Sequence, residues 1–483
     1  MQVFGVQQIN NTTSSNPDTT HCLQSAFAFQ VCASKKLVVS FDGGSLSSDG
    51  GLPLLRQLDS SLGLSKALAS CFVDRRDPRR ISHSVKELIT QRLFGIAHGY
   101  EDLNDHALLR KDTLFQVAAG KFDCQPGLRP DGSEPGRALA SAPTLNRVEL
   151  SSQREGVYHK VHIQPASVRD LLVKFGARTL RKSRRVIIID LDATHDPLHG
   201  KQEGRFFHGY YDCFCYLPLH AFVGDVPLWS QLRTADRDGS EGTVEALEKI
   251  VPALRKRCPR ARIIVRADSG FCRDEILSWC EARNVDYVIG LARNERLLAK
   301  LEPAAIRARE RACLAGGPTR EYCDFEYKTL DSWSRARRVI GKAERLADKD
   351  NPRFIVTTLD TDAQELYEET YCARGDMENR VKEQQLEMFA NRMSSASFAA
   401  NQQRLWMSVF AYYLLERMRA IALKGGELAK ASVGTIRLKL LKQAARVEVS
   451  VRRICVRLAD QSAMRTVFEQ AWRRLMALGQ LAC

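Results

Sequence analysis

Three acidic residues stand where they could share divalent cations. An apolar run, Val186-Ile-Ile-Ile-Asp190-Leu-Asp192, ends in carboxylates, and a second, Ile263-Ile-Val-Arg266-Ala-Asp268, does the same. The third acid is Glu378, within Tyr371-Cys-Ala-Arg374-Gly-Asp-Met-Glu378-Asn-Arg-Val-Lys382. A bare charge buried at the end of an apolar strand is strongly unfavourable, so each carboxylate needs a partner. Hard divalent cations take oxygen ligands, and two of them held roughly 3.5–4 Å apart perform phosphoryl transfer. One ion then activates the attacking oxygen while the other stabilises the leaving one. A single Asp at a strand end is more often a turn residue. Two on buried strands, with a third acid on a helix, favour the metal reading. Asp190 and Asp192 share one face of their strand. Asp192, followed by Thr194 and nearer the strand's end, is the preferred ligand, with Asp190 a supporting partner or an alternative ligand.

Around Glu378 the spacing is informative. Tyr371, Arg374, Glu378, Lys382 and Gln385 follow one another at steps of three and four, which places them on one helix face. Arg374 and Lys382 would flank the carboxylate and could grip DNA phosphates. The plainer alternative is a row of surface ion pairs worth about 0.2–0.5 kcal/mol each. Gly375 is unfavourable inside a helix, so the helix is expected to begin there, with Tyr371 and Arg374 just before it. His195 and His199 have metal-ligand spacing only on a helix, and Pro197 between them argues against one. Arg205, Phe206, Phe207, Tyr210 and Tyr211 interleave base with aromatic, which suits stacking on nucleobases or, equally, the core of a hairpin. Trp333, in a Ser332-Trp333-Ser334 turn, is a candidate wedge against an unpaired base.

The elements that must position these residues can be read from periodicity. Residues 1–35 are polar and expected to be a mobile tail. Residues 36–180 are mostly helical, with apolar positions at three and four over 52–68 and 82–97, a Gly/Pro-rich loop over 120–143 and a helix over 165–175. A basic cluster, RRDPRR, lies at 75–80. From 181 to 294 the text alternates: strand 186–192, strands about 205–216 and 220–232, helix 242–257, strand 262–267, helix 274–284 and strand 287–291. This β-β-β-α-β-α-β order predicts an α/β fold, a mixed sheet flanked by helices. It is the order of the ribonuclease-H-like fold, in which the first and fourth strands are neighbours, so Asp192 and Asp268 should meet. Residues 295–366 carry strands about 321–327, 337–343 and 353–358 and read as a β-rich insertion. Residues 367–425 hold Glu378 and a long helix from about 390. Residues 426–483 form a basic region with a helix over 435–445, a strand over 447–457 and a helix over 463–478.

Charge and cysteines narrow the function. The 483 residues include 72 Lys and Arg against 57 Asp and Glu, a net charge of +15, which favours a polyanionic partner. The longest apolar stretch, 405–423, contains Glu416, Arg417 and Arg419. It therefore reads as a buried helix rather than a membrane span. The 14 cysteines include no Cys-x-x-Cys, and with no secretory signal they read as reduced thiols of a cytoplasmic protein rather than zinc ligands or disulfides.

Taken together, Asp192-x-Thr194, Arg266-Ala-Asp268-Ser-Gly-Phe271 and Tyr371-x2-Arg374-x3-Glu378 resemble the DDE transposases of bacterial insertion sequences. More narrowly, HGYEDLNDHALLRKD from His98, DLDATHDPLHGKQEG from Asp190, YYDCFCYLPL from Tyr210 and YCARGDMENRVKEQQ from Tyr371 resemble the insertion-sequence family numbered 1380. The resemblance runs from about 38 to 420. It implies a ribonuclease-H-like catalytic core with an inserted β domain, and Asp192, Asp268 and Glu378 as the catalytic and metal-binding triad. Tyr371 and Arg374 match DNA-binding positions of the family's box. The wider group has Lys seven residues after the Glu, where this chain has Gln385, with Lys382 the candidate replacement. The resemblance further implies two Mg2+ ions, with Mn2+ as a substitute, and double-stranded DNA partners: terminal inverted repeats bound through the N-terminal helices, and target DNA. It implies cleavage and strand transfer by a homodimer pairing two ends, in the cytoplasm at the nucleoid. The competing readings are an inactive DNA-binding protein of the same ancestry and a metal-dependent nuclease without strand transfer.

Overall fold

The computed structural model describes residues 27–32, 35–40, 43–122, 138–150, 159–450 and 452–480. Most of the expected tail and of the 120–143 loop lies outside them. The end of that tail, Phe27–Cys32, is however a strand, paired antiparallel with Lys35–Val39. It belongs with residues 1–46 to a small unit separate from 47–483.

The larger unit is built on one eight-stranded sheet, whose strands we number in chain order. They are β1 (Val186–Ala193), β2 (Leu219–Val223), β3 (Val226–Gln231), β4 (Arg262–Ala267), β5 (Asp286–Leu291), β6 (Thr319–Tyr327), β7 (Arg337–Arg345) and β8 (Arg353–Thr357). Their order across the sheet is β3-β2-β1-β4-β5-β8-β7-β6. β1, β4 and β5 run parallel and the other neighbours are antiparallel. The parallel strands are near-continuous Ile/Val runs because both faces are covered. Ile187, Ile189, Leu191, Ile263 and Val265 enter one core, and Ile264 and Val288 enter another on the opposite face.

Helices α1 (Pro165–Arg178) and α2 (Thr243–Arg257) cover the first face, joined in the same core by residues of Asp274–Ala282 and Glu295–Ala315. α2 buries Leu247, Ile250, Val251 and Leu254, one stripe at steps of three, one and three. Helix α3 (Asp274–Ala282) links β4 to β5.

The structure corrects several expectations. The stretch 220–232 is not one strand but a hairpin, β2–β3, turned at Gly224-Asp225, where Gly224 has φ +60°. The stretch 205–216 does not join the main sheet. Its two strands, Phe206–His208 and Cys213–Tyr216, form a separate three-stranded sheet with Asp196–Pro197. The three strands of 295–366 extend the main sheet, because β8 pairs with β5. That region also contains an unforeseen 21-residue helix, α4 (Glu295–Ala315), capped by Asn294 and burying only Leu297, Leu301, Ala304 and Ala308. Its narrow apolar stripe and internal Pro303 conceal it in the sequence. The long helix, α6, begins at Phe398 rather than about 390, with Ser397 as its cap, and runs to Arg417. The expected strand 447–457 is a hairpin of Ala445–Val449 and Ile454–Leu458, and the preceding helical segment ends at Leu441.

α6 is buried on nearly every side. Its core includes Leu52, Leu55, Phe94 and Phe175 from the N-terminal helices together with Trp406, Phe410 and Tyr413. The helices of 52–178 therefore share one core with α6. The charges in this stretch are paired: Glu416 accepts from Arg417, and Arg419 lies 3.4 Å from Glu383. Among the described residues no helix is long and apolar enough to cross a membrane.

Candidate active site

The register of β1 and β4 brings two acids together. Asp190 lies opposite Arg266, so two residues further along Asp192 and Asp268 leave the carboxyl ends of adjacent parallel strands at the same level. Asp268 caps the short turn that follows, accepting from Gly270 N–H at 2.8 Å. The third acid comes from α5 (Gly375–Lys382), the middle of a longer helical path. Wide five-residue turns at 366–371 and 383–387 and a tight turn at 372–374 flank it. The α-helical segment thus begins at Gly375 as expected, with Tyr371 and Arg374 just before it in the wide and tight turns of the same helical path. Such wide turns within helices are frequent at functional sites.

One guanidinium ties the three carboxylates together. Arg374 Nη1 donates to Glu378 Oε1 at 2.7 Å, and Nη2 donates to Asp192 Oδ1 at 2.7 Å and lies 3.4 Å from Asp268 Oδ2. The Arg374 and Asp192 side chains are each 13% exposed, while Asp268 and Glu378 are 42% and 46% exposed. The site is thus walled on the strand side and open on the other. Burial pushes the Asp192 carboxyl up to about 6; Arg374 opposes the shift, and Asp268 and Glu378 add to it. Burial works against a charged Arg374, but the three acids outweigh it and raise its pKa. The surface ion-pair reading accounts for Arg374–Glu378 and fails to account for the reach to Asp192.

The other candidates separate. Both oxygens of Asp190 are taken by Arg266, at 2.5 and 2.9 Å, and Arg266 also donates to Thr370 O. Asp190 thereby anchors the entry to the Glu378 helix. Lys382 is exposed and forms no ion pair among the described residues. Gln385 does not extend the row toward the carboxylates: its Nε2 lies 3.3, 3.1 and 2.9 Å from Thr194 Oγ1, His195 O and Asp196 Oδ1. It pins the far end of the Glu378 helix to the segment leaving β1. His195 stacks on Tyr211 with centroids 4.2 Å apart, and no group of three His, Cys, Asp or Glu among the described residues is spaced to hold a metal ion as it stands. Phe206 and Phe207 in the three-stranded sheet and Tyr210 in its turn are exposed, and Tyr211 Oη donates to Ala193 O beside Asp192. Trp333 is no wedge: it is 4% exposed, packed edge-on against Tyr327 and under Arg337.

Two residues of the site escape the sequence reading. Asp196 is fully buried, and burial pushes its carboxyl up to about 7 against the pull of Gln385; Oδ2 has no partner. Because this folded-state pKa lies above the ordinary value of 3.8, Asp196 costs stability progressively as pH rises through that interval, and the cost is constant above it. Asp196→Asn is expected to raise the melting temperature at pH 8 more than at pH 5, since an amide keeps the Gln385 contact without a charge. Asp196→Ala should instead cost about 1–3 kcal/mol at pH 5 by leaving Gln385 short of an acceptor, and less at pH 8, where it too removes the buried charge. Thermal melts at the two pH values distinguish these outcomes.

Gly290 is the second. A Cβ there would meet Tyr371 Oη at 2.6 Å, Ser269 N at 2.8 Å and the Asp268 carbonyl carbon at 3.1 Å. Two of those atoms are backbone of the Asp268 turn, and Tyr371 packs on Tyr367 at 5.5 Å. Gly290→Ala is expected to displace both and lower the activity of the carboxylate site roughly a hundredfold, as misplacement by about 1 Å does. Activity assays and thermal melts on the same preparation check this.

Comparison with curated proteins gives no match. Residues 29–480 match the family described as transposase DDE domain group 1, which spans every element that builds the carboxylate cluster, and on that match the chain belongs to this family of DDE transposases.

Proposed function

We propose that the chain is the transposase of a bacterial insertion sequence, of the family numbered 1380, that binds the element's terminal inverted repeats and cleaves and joins DNA at Asp192, Asp268 and Glu378. The observation that carries this is the convergence of three carboxylates, from two adjacent strand ends and one helix, on a single cationic group. The strand order β3-β2-β1-β4-β5, with β2 antiparallel to its neighbours, supports a ribonuclease-H-like core.

The donor set fits a hard divalent cation. All the convergent groups are carboxylates, and they already gather around positive charge. Asp192, Asp268 and Glu378 would hold two Mg2+ ions, or Mn2+ in their place, after Arg374 gives up part of its hold. When bound, such ions activate the attacking oxygen and neutralise charge on the transferring phosphate. Asp190 is spent on Arg266, which favours Asp192 as the ligand. Released from the acids, Arg374 offers a planar fork of donors suited to phosphate oxygens. Phe206, Phe207 and Tyr210 offer ring faces for bases beside the site, while Tyr371 supports the Asp268 turn. Lys382, exposed one turn beyond Glu378, is free to meet a flanking phosphate.

Recognition of the repeats is assigned to the helices within 36–180. The protein is proposed to act as a homodimer when two ends are paired, at the nucleoid. The test incubates the full chain with plasmid carrying this reading frame and its flanking DNA. Mg2+-dependent nicks at imperfect inverted repeats, followed by joined products, are expected. Binding at those boundaries without cleavage in Mg2+ or Mn2+ would identify a binding protein, and cleavage without joining a nuclease.

A further inference from the structure

One end of the sheet gathers a cluster of positive charge. Two runs, Arg181-Lys182-Ser183-Arg184-Arg185 and Arg255-Lys256-Arg257, precede β1 and β4 respectively. These strands are parallel neighbours with Arg262 opposite Val186, and Arg262 N–H donates to Arg185 O at 2.8 Å. The runs therefore emerge side by side, at the end opposite Asp192 and Asp268. Six residues of β1 separate Val186 from Asp192, about 20 Å at roughly 3.3 Å per residue.

The two runs are also locked together. Arg257 Nε donates to Leu180 O at 2.7 Å and Nη2 to Arg178 O at 3.2 Å, and Cys258 Sγ lies 3.2 Å from Arg181 O. Between α1 and α2 an open groove of about 480 Å³ continues the surface, with Lys174, Lys182 and Lys256 on its rim, Val173 and Ala177 in its wall, and Asp170 its one acid.

This charge is not cancelled. Lys249 pairs with Asp170 at 3.2 Å and Arg262 with Asp286 at 2.6 Å. Among the described residues no side chain of the two runs pairs with a carboxylate; Arg255 and Arg257 are held by carbonyl oxygens instead. The cluster at 75–80 behaves differently, since Arg76 and Arg79 are bound by Asp74 and Asp77. The helix dipole accounts for cations in the last turn of α2 but not for 181–185, which lie outside any helix. Uncompensated like charges at close quarters oppose folding, so a polyanion would relieve them.

We propose that this end of the sheet binds the sugar-phosphate backbone of duplex DNA, about 20 Å from the carboxylates and without reading bases. The proposal rests on the reading of this chain as a DNA-processing enzyme. Phosphate rather than base is the ligand because the exposed groups are Lys and Arg, while the exposed rings of Phe206, Phe207 and Tyr210 lie in the separate sheet and its turn.

The test measures binding of the full chain to a labelled duplex of arbitrary sequence across a salt series. The triple variant Lys182→Gln, Arg184→Gln, Lys256→Gln is compared with Arg293→Gln, Arg296→Gln, Lys300→Gln, which removes equal charge from the start of α4. The first triple should lower the slope of log affinity against log salt by about 2–3, near 0.9 for each phosphate no longer neutralised, and weaken binding about tenfold at physiological salt. The second should change affinity less than twofold, and unchanged melting temperatures show both fold. Equal weakening by the two triples would reduce the effect to net charge and overturn the proposal, as would no weakening by the first. Either result leaves cleavage at the element's ends by the unaltered chain, and so the proposed function, standing. A wild-type chain that binds no duplex overturns both.

Discussion

Asp192→Asn, Asp268→Asn and Glu378→Gln are each expected to reduce Mg2+-dependent cleavage roughly a thousandfold or more while leaving affinity for the element's end within a few-fold. The size follows from the several kcal/mol of transition-state charge stabilisation that a correctly held metal supplies. The sparing of affinity follows because Lys and Arg contacts to phosphate supply most of it. Asp190→Asn should behave differently. Both its oxygens serve Arg266 in a buried pair, and disabling one partner of such a pair costs about 3–5 kcal/mol at most, less here because an amide keeps one acceptor. Its melting temperature should therefore fall together with its activity. Parallel cleavage, binding and melting measurements on the four variants separate the roles. An Asp192 variant that cleaves beside an Asp190 variant that does not, with equal melting temperatures, would transfer the ligand role to Asp190.

The carboxylates are legible in the sequence because burial makes them conspicuous. An Ile/Val run ending in Asp has few explanations, and two such runs on either side of a hairpin and a helix have fewer. The pairing of β1 with β4 follows from element order alone. What stays hidden depends on contacts between segments distant in sequence. Gly290 matters because Tyr371 and the Asp268 turn close over it, which no local pattern of β5 announces. Gln385 stands at a position expected on the face of Glu378 and instead faces Asp196. The hairpin β2–β3 reads as one strand because Gly224-Asp225 is a two-residue turn inside an otherwise continuous apolar run. The strands of 295–366 look like an insertion, and nothing local says that β8 pairs with β5. Helix α4 buries only a narrow stripe, so its charged faces mask its period.

Arg374 is where structure changes the expectation most. The spacing alone points to a phosphate contact with little bearing on the fold; the structure gives it three carboxylates to hold. Arg374→Ala should therefore lower the melting temperature of metal-free protein, by an amount corresponding to about 2–3 kcal/mol. That is below the full cost of breaking a buried pair, because Asp268 and Glu378 are partly open to solvent. Without the guanidinium the acids repel one another, so Mg2+ should recover more stability in the variant than in the unaltered chain, where the ion must compete with Arg374. Cleavage should still be strongly reduced with metal saturating, because the phosphate then lacks its fork of donors. Arg374→Lys should restore much of the metal-free stability and little of the cleavage, since a point charge can neutralise the acids but cannot span three of them and then present a planar face to phosphate. Melting curves with and without Mg2+, set beside single-turnover cleavage, read both halves. If Mg2+ stabilises Arg374→Ala no more than the unaltered chain, the guanidinium does not stand in the ions' place, and its contacts with Asp192 and Glu378 serve the fold alone.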